Sequence, residues 1–264
     1  DNKKIFSTRY DYILIHDGKR RSHFISLFLK GKKLSLIKFS KSSLYFKLAQ
    51  FLNFSTYYNS INNLLFDNLQ FLNLILGEKQ KFNNKDFYFD YDFDKSFYLN
   101  DKKYCILHLD EKWFKNYYYD DFTYPEWDFN FFHQIINTLN QKFNMPILIT
   151  TGSIKVKFVD NLIKNFFKKH KTNIFYHNNM DDKVILINNL TFRQIEFILK
   201  HNCNTLIACE GGVTHLSHNL NIKTYAFVQG NRKNFYKHWT GHMNNIKLCE
   251  RSDNHDFINI LSNL

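Results

Sequence analysis

The chain has 264 residues, enough for one large core or for two of about 130 residues each. A hydrophobic content of 44% and an aromatic content of 18% exclude a disordered chain, and no apolar run reaches the ~18 residues that cross a bilayer. A formal net charge of +12 calls for anionic partners: a membrane surface, a phosphorylated glycolipid, a nucleotide or a nucleic acid.

In chain order, residues 10–15 read as a strand running into a turn at His16-Asp17-Gly18. Residues 22–29 read as a helix capped by Ser22, and residues 33–39 as the next strand. Residues 43–54 are apolar without a clean period, so their type stays open. Residues 63–76 have helical spacing and stop at Gly77, as at a helix C-terminus. FYFDYDFD, residues 87–94, is an edge strand or part of a linker.

A domain boundary is expected near residues 99–103, giving a first domain over 1–100 and a second over 101–264. In the second, strand 104–109, helix 130–143, strand 146–150, helix 155–169 and strand 173–176 follow one another. A strand-like 183–187 and helix 192–200 lead to strand 205–208, the turn Glu210-Gly211-Gly212, helix 213–220 and strand 224–228. A short strand around Lys247 and a helix over 253–264, capped by Ser252, complete the series. Repeated β-α-β with short turns predicts an α/β chain with doubly wound parallel sheets.

The basic charge is clustered. Residues 1–40 hold ten Lys and Arg, with Lys19, Arg20 and Arg21 adjacent, against three Asp. Lys155, Lys157, Lys164, Lys168, Lys169 and Lys171 are offset only by Asp160. An ordinary solvated surface accounts for either cluster equally well. Cys105, Cys203, Cys209 and Cys249 show no CxxC spacing, so a reducing cytoplasm is expected and Cys105, inside an apolar run, reads as a core residue.

Three turns fall at the carboxyl ends of expected parallel strands, the edge where open α/β sheets bind ligands. In Glu210-Gly211-Gly212-Val213-Thr214-His215, two glycines let a ligand approach the backbone and a helix start offers N–H groups to a phosphate. Glu210 would take hydroxyls, with Thr214 and His215 in reach of a phosphate. His108-Leu109-Asp110-Glu111-Lys112-Trp113 places Lys112 as a counter-charge for a diphosphate. Thr151-Gly152-Ser153 opens a lysine-rich helix as a third anion site. Each turn alone is equally an ordinary strand–helix connection; their convergence carries the ligand-site reading. The pairs His215/His218 and His238/His242 lack further ligands at motif spacing, so no metal site is expected.

These pieces resemble the heptosyltransferase-like glycosyltransferases of family 9, two-domain enzymes of the GT-B type. The segment 10–18 with Arg21-Ser22 looks like the family's first-domain strand and "RS" helix, and residues 66–77 like its helix ending "LLxxLG". Residues 108–113 resemble its "HPG…W…K" opening of the second domain. Glu210–Leu216 is similar to its "[D/E][T/G]GxxHLA" donor loop, with Gly211 where Thr is commoner and His215-Leu216-Ser217 for "HLA". The resemblance implies two Rossmann-like domains, the first lacking its initial part and, with it, the family's catalytic Asp; Asp17 does not match that residue. It also implies metal-independent, inverting transfer of a sugar, heptose favoured, from an ADP-linked donor to a lipopolysaccharide core or related anionic glycan. The donor would contact Lys112, Thr151, Gly152, Glu210, Gly211, Gly212, Thr214 and His215. Lys19, Arg20 and Arg21 would face the acceptor, at the inner face of the inner membrane. The family's glutamate after the second strand has no counterpart here; Lys155 and Lys157 occupy that region. Two alternatives stay open: a non-catalytic binding remnant of that fold, and a basic nucleic-acid-binding α/β protein, although no nucleic-acid module is recognisable.

Overall fold

The computed structural model describes residues 2–15, 20–37, 56–59, 73, 77, 99, 101–114, 127–229, 233–251 and 254–264. The chain divides into two compact units, one of Asp1–Asn83 with Lys237–His242, the other of Asn84–Tyr236 with Met243–Leu264.

In the first unit, α1 (Asn2–Ser7) precedes β1 (Arg9–Ile15), α2 (Arg20–Leu27), β2 (Lys30–Ile37) and β3 (Thr56–Asn59). The strands pair in parallel in the order β1-β2-β3. α2 starts at Arg20, so Ser22 lies within its first turn rather than capping it; the arginines are good helix formers and extend the helix upstream. β2 starts at Lys30, earlier than expected, because Gly31 lets β1 come close: a Cβ there would lie 2.5 Å from the Tyr10 carbonyl oxygen. Gly77 has φ 69° and donates its amide to the Asn73 carbonyl, 3.0 Å away, as at a helix end. The turn 16–18, Lys19, residues 43–54, most of 63–76 and residues 87–94 lie outside the described residues.

The second unit contains β4 (Tyr104–Leu109), a 3-10 turn at Glu111–Trp113, α3 (Phe129–Phe143), β5 (Ile147–Thr151), α4 (Lys157–Phe166), β6 (Phe167–Lys171) and β7 (Ile174–His177). There follow β8 (Asp181–Ile187), α5 (Phe192–Asn202), β9 (Cys203–Cys209), α6 (Gly212–Asn219) and β10 (Lys223–Gln229). After α7 (Lys233–Thr240), which has residues in both units, come β11 (Ile246–Arg251) and α8 (Asn254–Ser262). The strands form one sheet in the order β11-β10-β9-β4-β5-β8-β7-β6.

Helices cover both faces of this sheet, so its central strands are mainly apolar, and every residue of β4 and β5 is buried. Phe132, Ile136, Leu162 and Phe257, from α3, α4 and α8, fill one face. Ile195, Leu199 and Leu216, from α5 and α6, fill the other. Cys105 is fully buried, as expected, and burial pushes its thiol up to about 12. Local signals set the helix ends. Asp128 caps α3 by accepting the Phe131 amide at 2.7 Å, and Thr191 and Gln194 form a capping box on α5.

A further expectation is corrected in this unit. Residues 155–169 do not form a single helix: α4 ends at Phe166, and residues 167–171 are a strand. β6 runs antiparallel to β7 and β7 antiparallel to β8, so this sheet is parallel except for an edge hairpin. The helical run Phe158, Val159, Leu162, Ile163, Phe166 gives way to Phe167, which is buried on the sheet. Lys168, Lys169, His170 and Lys171 are all exposed and carry no period to separate strand from helix. Asn173, at φ 61°, closes the hairpin turn.

Candidate functional site

Parallel register brings the strand ends level. Leu109 of β4 pairs with Thr151 of β5, His108 with Ala208 of β9, and Thr150 with Ile187 of β8. The turns after β4, β5, β8 and β9 therefore emerge at one carboxyl edge.

The turn after β4 is fixed from several sides. Asp110 accepts the Lys112 amide through Oδ1 at 3.1 Å. Trp113 is fully buried against the rings of Trp127, Phe227 and Phe257, and its indole N–H donates to the His108 carbonyl at 2.8 Å. The Arg251 guanidinium, at the end of β11, donates to the Lys112 carbonyl. With its main chain held, Lys112 extends its ammonium to the Glu210 carbonyl, 2.7 Å away, at the end of β9.

Two buried groups beneath this turn are shifted in opposite directions. His108 lies 3.0 Å from Thr150 through Nδ1 and Oγ1. Burial, helped by the Lys112 charge, lowers its pKa to about 4, so the ring is neutral. Burial raises Asp110 to about 6, outweighing the attraction of Lys112.

The turn after β9 passes directly into α6. Thr214 is fully buried; its hydroxyl donates to the Gly211 carbonyl at 2.7 Å and accepts the Gly211 amide at 3.1 Å. The amides of Gly212 and Val213, the first two of α6, have no intrahelical acceptor and carry the positive end of the helix dipole. Glu210 Oε1 is 3.4 Å from His215 Nε2. His218 turns away, its Nδ1 2.5 Å from Asn245 Oδ1.

The turn after β5 differs. The Thr151 side chain is buried, donating to Asn188 Oδ1 at 2.6 Å and accepting the Asn189 amide at 2.9 Å. It fastens the loop that follows β8, and α4 begins only at Lys157, with no side-chain cap from Val156.

Between these turns lies a cleft of about 240 Å³. His108, Asp110, Glu111 and Ser153 supply its polar lining, and Gly152 and Gly212 its backbone approaches. Leu190, Phe192 and Ile195 face Ile154 and Val213 as an apolar lining. Ile154 and Phe192, 56% and 54% exposed, are the exposed large apolar side chains among the described residues of this unit. Lys112, Glu210, Gly211, Thr214 and His215 gather beside the cleft, at the start of α6. Arg20 and Arg21 lie on α2 of the first unit, Arg21 exposed. The residues after β8 were not expected at the site. Their signal was the strand 183–187 itself, whose carboxyl end shares the edge of β5. Among the described residues, no helix is long and apolar enough to cross a membrane, and no three His, Cys, Asp or Glu side chains gather as a metal site would require.

The chain has a heptosyltransferase-like GT-B fold. Two solved structures establish the likeness. One is E. coli heptosyltransferase WaaC with ADP, at a TM-score of 0.59 and 10% identity, over 99% of this chain and 75% of that one. The other is the same enzyme with ADP-2-deoxy-2-fluoro heptose, at a TM-score of 0.58 and 11% identity, over 96% and 69%. No protein-family model and no curated protein matches the sequence.

Proposed function

We propose that this chain is a glycosyltransferase that takes a sugar, heptose favoured, from a nucleotide-diphosphate donor to a lipopolysaccharide-core or related anionic glycan. The observation that carries the reading is the cleft's composition. Ile154 and Phe192, the exposed large apolar side chains among the described residues of the unit, line it, as do Gly212 and Val213, whose amides have no intrahelical acceptor. An apolar wall suits a flat nucleobase, and a helix start suits a diphosphate. The solved structures with ADP and with an ADP-heptose analogue support the same ligand class and favour an ADP-linked donor.

In this reading the departing nucleotide diphosphate gains negative charge, which the α6 amides and the Lys112 ammonium beside them stabilise without a metal. The neutral His108 adds no positive charge at the cleft floor. Arg21 and its basic neighbours would meet an anionic acceptor at the cytoplasmic membrane surface. Acceptor engagement should then weaken with salt more than donor engagement does.

Calorimetric titration with ADP, UDP, GDP and CDP, without metal, tests the reading. A Cβ at residue 212 would meet only Phe192, at 3.5 Å, so Gly212→Asp fits sterically while setting a carboxylate against the α6 amides. Saturable binding of one nucleotide, lost in that variant, is expected. Absence of binding by all four would remove the donor site.

A further inference from the structure

We propose that Gly211 is a positioning residue for Lys112, because the space left by its missing side chain is where the Lys112 ammonium sits. An ideal Cβ built on Gly211 would lie 2.5 Å from Lys112 Nζ and 3.7 Å from its Cε. Only the charged tip is in conflict. Backbone conformation does not demand glycine here: Gly211 has φ 165°, extended backbone open to any residue. What a side chain at 211 would meet in this chain is therefore a side chain 99 residues upstream in sequence.

The interlock has three parts. Lys112 reaches across from β4 and donates to the carbonyl of Glu210, immediately before the glycine. Its own carbonyl is held by Arg251, so the turn carrying it cannot easily retreat. The Glu210 carboxylate lies 3.4 Å from His215, and the ammonium rests on the Glu210 main-chain carbonyl. A lysine so placed stands at the residue that precedes α6, where a diphosphate oxygen would bind in the function proposed above, on which this ligand role rests. Any side chain at 211 displaces that charge without disturbing the fold, because the atom it pushes aside is the free end of a flexible chain.

Two measurements separate this inference from the proposed function. The first needs no ligand: amine labelling of the native protein, read residue by residue by mass spectrometry, in wild type and Gly211→Ala. Lys112 should label several-fold faster in the variant, while lysines on the edge hairpin label equally in both. Equal Lys112 rates would overturn the interlock. The second is titration with ADP. Lys112→Met should bind about tenfold or more weakly, Gly211→Ala should match it within about threefold, and the double variant should be no weaker than Lys112→Met. Additive losses, or a Gly211→Ala that binds like wild type, would overturn the assignment. Faster labelling in a protein that binds no nucleotide would uphold the interlock and remove the donor reading instead.

Discussion

Two glycine-bearing turns of this molecule look alike in sequence and differ in kind. Glu210-Gly211-Gly212 runs from β9 straight into α6, so the strand end and the first helical amides coincide. Thr151-Gly152-Ser153 ends β5, but α4 begins only at Lys157, and its helix start is displaced from the edge. At the first turn a hydroxyl, that of Thr214, closes the turn on itself. At the second, that of Thr151 ties one strand end to the loop after another. A glycine after a strand therefore leads directly to free helix-start amides only where the helix starts at once, and at the Thr151 turn it marks a crossing of loops.

The largest effect that would sharpen this comparison concerns the two buried groups beside the turns. His108 binds its proton less readily folded than unfolded, so its contribution is full above its unfolded pKa near 6.5 and is lost as pH falls toward 4. Asp110 acts oppositely: its raised pKa favours the fold below 3.8 and the contribution is lost as pH rises through 6. Each effect is at most about 3 kcal/mol. Between pH 7 and 4, urea denaturation should show His108→Gln losing about 3 kcal/mol less stability than wild type, and Asp110→Asn about 3 kcal/mol more. Parallel pH profiles for all three proteins would show that neither group is shifted as the geometry requires.

Thr214→Val should cost about 1–2 kcal/mol, because the Gly211 amide loses its acceptor beside a fully buried side chain, while the Gly211 carbonyl keeps the amides of Thr214 and His215. It should also weaken nucleotide binding about tenfold, since the turn then no longer presents the α6 amides. Thr151→Val should cost about 1–2 kcal/mol by orphaning the Asn189 amide, with a smaller change in nucleotide affinity. If the two variants lost affinity equally, the distinction between the turns would collapse.

Much of this was legible in the sequence, for identifiable reasons. The strands β4, β5 and β9 are covered on both faces, so they appear as short apolar runs bounded by polar turns. The start of α6 is marked by Glu-Gly-Gly followed by a helical period. Of the hairpin, β7 is legible as the strand 173–176, but β6 is not, because Lys168 to Lys171 are exposed in either conformation and only the tertiary contact of Phe167 decides. The partners of the Thr151 and Thr214 hydroxyls were equally hidden: a hydroxyl facing a ligand and one closing a turn have the same sequence. Phe192 was read as the start of a helix, and only the register of β8 against β5 brings it to the cleft.

The smallest effect is the most direct contrast between the glycines. A Cβ at residue 152 meets nothing within 4 Å, and Gly152 is not among the glycines with positive φ. Alanine there restricts the unfolded chain without straining the folded one, so Gly152→Ala should stabilise by about 0.5 kcal/mol in urea denaturation. Gly211→Ala gains the same unfolded-state restriction but must move the Lys112 ammonium off the Glu210 carbonyl, giving up a charge-assisted hydrogen bond that outweighs the gain. The two substitutions are chemically identical and should differ in sign. Stabilisation by both would mean that Lys112 contributes nothing at its present position, and destabilisation by both would mean that the backbone, not the neighbouring side chain, selects glycine at these strand ends.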